Sequence, residues 1–278
     1  MERKHLDNLW NVAVIITMSM FPALLSITSG CSKEGGCITN TGPIIYEERT
    51  LQSDFDTITV YDYVNIILTQ DDRNSVSVES GRNIISGITT EVIDRNLIIH
   101  NRNTCNWLRS YDSSHFNIHI SAKNLRQIYY NSSGDIRSTN TIRPADTLLL
   151  HPNDTSLIRK DTTKTFNVDV WGGCGTIDIK IDIDLGGFSL NLGTVDLRLK
   201  GFCYSTSVFS AGYGLYDGKY LKTKYTYLTS KGSNDCYVDF FWYLDANILS
   251  IGNIYYLGNV NNIYNHGSGT GRLIPIQN

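Results

Sequence analysis

The side chains with chemical potential in this chain are six histidines, a set of alternating carboxylates and a concentration of tyrosines. His5, His100, His115, His119, His151 and His266 are dispersed. Only His115 and His119 share a strand face, and Asp112, the one carboxylate close by in sequence, falls off that face. A zinc site needs more ligands than this at hand, so the two read as solvated side chains. Asp178, Asp182, Asp184 and Asp196, with Lys180 and Arg198, come nearest to the carboxylate pairs of glycan-cleaving enzymes. Strict alternation along a strand accounts for their spacing without catalysis, and two aspartates are too few oxygen ligands for a cation. There is no Gly-x-Ser-x-Gly elbow, Cys–His arrangement or phosphate-binding loop. Tyrosines gather beyond residue 200, and a tyrosine offers a flat amphipathic surface suited to sugar rings or protein partners. Tyr213, Tyr216, Tyr225, Tyr227, Tyr237 and Tyr255 form the candidate ligand-binding set. The competing explanation is that aromatics simply cover β surface. No catalytic residue, metal or other cofactor is expected.

Cysteine chemistry divides in two. No charged residue occurs between Asp7 and Lys33, a stretch of 25 residues whose middle is apolar, preceded by Arg3 and Lys4. This order is that of a secretory signal. It ends in Ser26-Ile27-Thr28-Ser29-Gly30-Cys31, which resembles a bacterial lipoprotein signal with Thr28 in place of the usual leucine. The resemblance implies removal of residues 1–30, lipid attachment at Cys31, a tether over 31–52, and a membrane as partner through the anchor. Polar Asn11, Thr17 and Ser19 and helix-disrupting Pro22 argue against an uncleaved span. The implied location is the bacterial cell envelope, at the outer membrane. Cys37, Cys105, Cys174, Cys203 and Cys236 contain no CxxC and are odd in number, so neither zinc nor a pairing is expected.

These groups must be positioned by strands. The chain has 278 residues, a net charge of −3, 23 Gly, 17 Tyr and only 18% charged residues. Such a composition favours strands and tight turns over helices, and the mild acidity with no basic run argues against a nucleic-acid partner. Over 53–128 apolar residues alternate: Phe55, Ile58, Val60; Val64, Ile66, Leu68; Val76, Val78; Leu97, Ile99; Phe116, Ile118, Ile120.

Over 129–278 a repeat takes over. Turn residues at Gly134, Gly175, Gly193, Gly214, Asn234, Gly252 and Gly271, with Asn153-Asp154 as a degenerate copy, recur at steps of 18 to 21 residues. Gly and Asn suit corners that need positive φ, and a period near 20 marks a solenoid. Setting Thr194–Arg198 on Thr176–Lys180 places Val195 and Leu197 over Ile177 and Ile179 as core, and Asp196 over Asp178. The expected fold is all-β: a right-handed parallel β-helix or β-roll of about 20 residues per coil, preceded by alternating strands.

Ser132-Ser133-Gly134-Asp135-Ile136, the later Gly-x-Gly corners, Leu244–Ile248, Gly252–Gly258 and Gly269-Thr270-Gly271, with Phe55–Val60 and Asn96–Ile99, resemble the auto-transporter adhesin head GIN domain family over about residues 53–276. The resemblance implies a β-helix-like fold and an envelope setting; it supplies no catalytic residues. The resulting expectation is a lipid-anchored, non-enzymatic envelope protein with a binding or adhesion face for glycan or protein. The alternatives are a carbohydrate-active enzyme on the same scaffold and a structural, self-associating envelope component.

Overall fold

A computed structural model describes residues 40–103, 116–145, 147–149, 161–258 and 262–276. The expected signal 1–30, Cys31, Cys37, Cys105, His5, His115, His151 and the Asn153-Asp154 corner lie outside the described residues. One compact unit, Thr41–Asn103 with Tyr111–Asn278, contains every described strand. In its first part these are β1 (Ile44–Arg49), β2 (Thr57–Asp62), β3 (Asn65–Gln70), β4 (Ser75–Gly81), β5 (Ile88–Ile93), β6 (Asn96–Asn101), β7 (Phe116–Ala122), β8 (Gln127–Ser132) and β9 (Ile136–Ile142). After the short pair β10 (Thr147–Leu149) and β11 (Asp161–Thr163) come the long strands β12 (Thr165–Leu190), β13 (Thr194–Ser210), β14 (Tyr216–Ser230) and β15 (Cys236–Ile248). β16 (Ile254–Leu257), β17 (Ile263–His266) and β18 (Leu273–Pro275) close the series. The fold is all-β, with a short 3₁₀ turn at Ile85–Gly87.

β12 shows why the sequence folds this way. Phe166, Val168 and Val170 are buried, then Ile177, Ile179, Ile181 and Ile183, then Phe188 and Leu190, each run alternating with more exposed residues. The interruptions at 171–176 and 184–187 are glycine-rich, and the inward pattern restarts after each. β13, β14 and β15 each lie parallel to the strand before, and β16 and β18 continue the stack. One column of partners runs Ile177, Leu197, Tyr216, Cys236, Ile254, Leu273, at steps of 20, 19, 20, 18 and 19. A second runs Phe188, Val208, Leu228, Ala246, all buried. Each fully buried Val, Leu, Ile or Phe contributes about 1.5–3 kcal/mol, so the repeat is held by its inward columns.

Between β12 and β13 the register differs by two residues from the sequence alignment: Asp178 faces Arg198 and Ile177 faces Leu197. The cause is Gly193, which stacks on Gly173 rather than Gly175; the residue opposite Gly175 is Val195. A two-residue slip leaves the buried face unchanged but sets Asp178 opposite Arg198 instead of Asp196, while Lys180 still faces a cation, Lys200. Lys200 Nζ lies 2.9 Å from Asp178 Oδ2 and Arg198 Nη2 lies 3.2 Å from Asp196 Oδ2. The positive-φ expectation also narrows. Of the corner residues only Gly175 and Gly193 have it, at 121° and 86°. Gly134, Gly214, Gly252 and Gly271 are needed for another reason: a Cβ there would collide with a carbonyl oxygen of the stacked neighbour, Val64, Val195, Asn234 and Gly252 respectively.

The opening strands join the same stack. β2 pairs parallel with β8 (Ile58 opposite Ile128) and β3 with β9 (Ile66 opposite Ile136), and β8 and β9 in turn pair parallel with β12. Beyond them the pairing turns antiparallel: β7 to β4 to β1, and β6 to β5. β1 lies within the segment expected to be a tether, so the folded unit begins before residue 53. Its Glu47, Glu48 and Arg49 give the charge of an edge strand and mask its alternation.

Candidate functional site

The structure sorts the candidate tyrosines. On one outward face β14 presents Tyr225 and Tyr227, opposite Tyr243 and Asp245 of β15, and Tyr264 of β17 lies opposite Asp245. Ring centroids are 5.7 Å apart for Tyr227–Tyr243, 6.3 Å for Tyr225–Tyr243 and 5.5 Å for Tyr243–Tyr264, and Tyr204 extends the row to Tyr225 at 5.6 Å. Aromatic pairs at such distances and tilts are favourable. The result is a row of five tyrosines crossing four stacked strands, with Tyr204, Tyr227 and Tyr264 exposed. Lys224 donates from Nζ to Tyr204 Oη at 3.1 Å and sits 4.9 Å and 5.3 Å from the ring centres of Tyr204 and Tyr225. That hydrogen bond outweighs burial and raises the Lys224 pKa, so the row carries a fixed cation at its edge. At the far end His266 Nε2 lies 2.6 Å from Asp245 Oδ1.

Tyr237 and Tyr255 form a separate pair, stacked at 5.0 Å and 11°. Tyr213 stands alone at a corner, 67% exposed. Tyr216 is corrected outright. It is 1% exposed and belongs to the inward column, where burial pushes its phenol well above the usual value, so it cannot meet a ligand. Tyr204, Tyr243 and Tyr264 are the functional candidates missing from the sequence-derived set. Their numbers, with Tyr225, are spaced 18 to 21 apart, the same period as the corners, and that signal could have found them.

The carboxylates do not converge. Asp178 is taken by Lys200, Asp182 by Arg143 Nε at 2.7 Å, and Asp184 accepts from the Lys164 amide at 2.8 Å, while Asp196 accepts from the Leu215 amide at 3.1 Å. Each is tied to its own partner across neighbouring strands. Among the described residues no group of three or more His, Cys, Asp or Glu could hold a metal ion. His119 Nε2 lies 2.9 Å from Glu79 Oε2, which also accepts from Asn117 Nδ2 at 3.1 Å and from Tyr46. Burial raises the Glu79 pKa, but these hydrogen bonds outweigh it and hold the carboxyl below its ordinary value. Cys174 is an exposed free thiol; Cys203 and Cys236 are buried free thiols, pushed by burial to about 12 and about 11.

Fold and surface define a class: an all-β protein of stacked parallel strands with an aromatic outer row. The chain belongs to the family described as "putative auto-transporter adhesin, head GIN domain", which matches residues 54–260. Three solved structures share the fold. A "putative adhesin" from Bacteroides fragilis is 18% identical with a TM-score of 0.65, over 84% of this chain and 97% of that one. A "putative lipid binding protein" from Parabacteroides distasonis is 18% identical with a TM-score of 0.57, over 85% and 98%. A "putative adhesin" from the same species is 15% identical with a TM-score of 0.54, over 84% and 98%. None of the curated proteins matches the chain.

Proposed function

We propose that this chain is a lipid-anchored, non-enzymatic envelope protein, exported behind residues 1–30, held at the outer membrane through Cys31, and binding glycan on an outward face of a right-handed parallel β-solenoid. The 18- to 20-residue register and the shared partner columns support the solenoid, and the strong preference of parallel crossovers for one hand supports the handedness. The observation that carries the function is the row Tyr204, Tyr225, Tyr243, Tyr227 and Tyr264. Five amphipathic rings across four strands offer successive platforms for the apolar faces of sugar rings, and hydroxyls, Lys224 and Asp245 at their edges offer polar partners. Separate engagement of Asp178, Asp182, Asp184 and Asp196 favours binding over cleavage.

The test combines binding and turnover. The full chain, purified in detergent, is applied to a glycan array and incubated with the polysaccharides it retains. Retention without release of reducing ends is expected. Product release would replace this reading with the enzymatic one, and silence in both assays would favour a structural role.

A further inference from the structure

A second surface feature lies where β13 and β14 run side by side. A groove of about 420 Å³ is lined by Asp178, Arg198, Lys200, Asp217, Lys219 and Tyr220, a size within the range of small-ligand sites, about 300–1,000 Å³. It exists because the register slips. Arg198 faces Asp217 but Lys200 faces Tyr220, so β14 carries one extra residue between these partners. Gly218 permits the bulge, since a Cβ there would lie 3.0 Å from Tyr216 Oη and 3.1 Å from the Tyr237 carbonyl oxygen. Bulges re-aim side chains, and just past this one Tyr220 stands 66% exposed.

The charges around the groove are placed rather than consumed. Lys200 contacts Asp178 at 2.9 Å, Lys219 contacts Asp217 at 3.2 Å and Arg198 contacts Asp196 at 3.2 Å. An ammonium has several N–H donors and a guanidinium more, so each pairing fixes a cation and leaves donors uncommitted. Lys219 Nζ lies 5.3 Å from the Tyr220 ring centre and 6.0 Å from that of Tyr237, which is itself stacked on Tyr255. Three cations, two carboxylates and an exposed ring thus share one concavity.

The geometry points to a subsite for a carboxylated sugar, the uronic-acid unit of an acidic oligosaccharide. The sugar ring lies on Tyr220, its carboxylate takes the Arg198 guanidinium, which is built for planar two-point recognition, and Lys200 and Lys219 add charge. Sugar hydroxyls donate to Asp178 and Asp217. Those same aspartates disfavour a phosphate dianion, which brings charge but no such donors. This assignment rests on the glycan-binding reading and narrows it to acidic glycans.

The test is calorimetry on the full chain in detergent, with an oligogalacturonate and a neutral xylo-oligosaccharide of equal length. The oligogalacturonate is expected to bind at least about tenfold more tightly, with an affinity that falls as salt rises. Arg198→Met with Lys200→Met should erase that preference. Tyr220→Ala leaves every ion pair intact and should weaken the acidic ligand by a similar factor, which keeps the test open if the double variant misfolds. Equal binding of the two sugars, unmoved by these variants, would overturn the subsite while leaving glycan binding in place. Equally effective competition by inorganic phosphate would overturn the carboxylate assignment. Failure of the oligogalacturonate to bind would overturn the subsite, and the glycan reading would then stand or fall on the array alone.

Discussion

A methyl group added at Gly214 would collide with the carbonyl oxygen of Val195 in the stacked strand beside it. The backbones pass so closely there that only glycine fits, and forcing a side chain in costs about 1–3 kcal/mol. Gly214→Ala should therefore lower the free energy of unfolding by about that amount, read as a lower urea midpoint at unchanged slope, and an unchanged midpoint would contradict the stacking. Thiols give a second check at the same scale. Cys203 and Cys236, held protonated by burial, should resist alkylation at neutral pH in the folded protein, whereas Cys174 should react. Peptide mapping after brief labelling reads this, and modification of Cys203 or Cys236 at the rate of Cys174 would contradict it. Single residues were only half legible in the sequence. Glycines marked the corners, but whether each serves positive φ or a close approach depends on a neighbour about 20 residues away. Tyr216 looked like its surface relatives because a tyrosine's type does not reveal which side of a strand it is on.

Elements were legible where alternation was clean and obscure where register decided the outcome. β12 could be read from its Ile-x-Ile runs. Its pairing with β13 could not, because Gly173 and Gly175 offer two equally good matches for Gly193, and only the charges separate them: one choice opposes Asp178 to Asp196, the other to Arg198. β1 is hidden in the sequence because Glu47, Glu48 and Arg49 put charges on both of its faces. The junction of β1, β4 and β7 also carries a pH dependence. Glu79 on β4 accepts from Asn117 on β7 and from Tyr46 on β1, and its pKa is depressed in the folded state. A depressed carboxyl stabilises the fold above its unfolded pKa, and that contribution is lost as pH falls through the folded value. Urea midpoints measured from neutral pH down to about pH 3 should fall more steeply for the wild type than for Glu79→Gln. Parallel curves would show that the carboxylate does not pin the three strands.

At the scale of the molecule, a repeated register turns a local sequence feature into a surface. Tyrosines one repeat apart land next to each other, so Tyr204, Tyr225, Tyr243 and Tyr264, ordinary singly, become a continuous aromatic row. The period was visible in the corners, the all-β class in the composition, and the family in the corner and strand motifs. The groove was not, because it depends on one extra residue in β14 opposite β13, and the row's pairings were not, because bulges shift the register between β14 and β15 by one to three residues. Antiparallel strands at the N-terminal end of the stack were likewise hidden, since alternation does not show strand direction. Under the proposed function, the tyrosine row is where glycan binds. Its most direct test compares the wild type with Tyr225→Ala/Tyr243→Ala on the glycans retained by the full chain, with urea midpoints recorded for both. The double variant should lose affinity about tenfold or more at little cost in stability; undiminished binding would show that the row does not hold glycan.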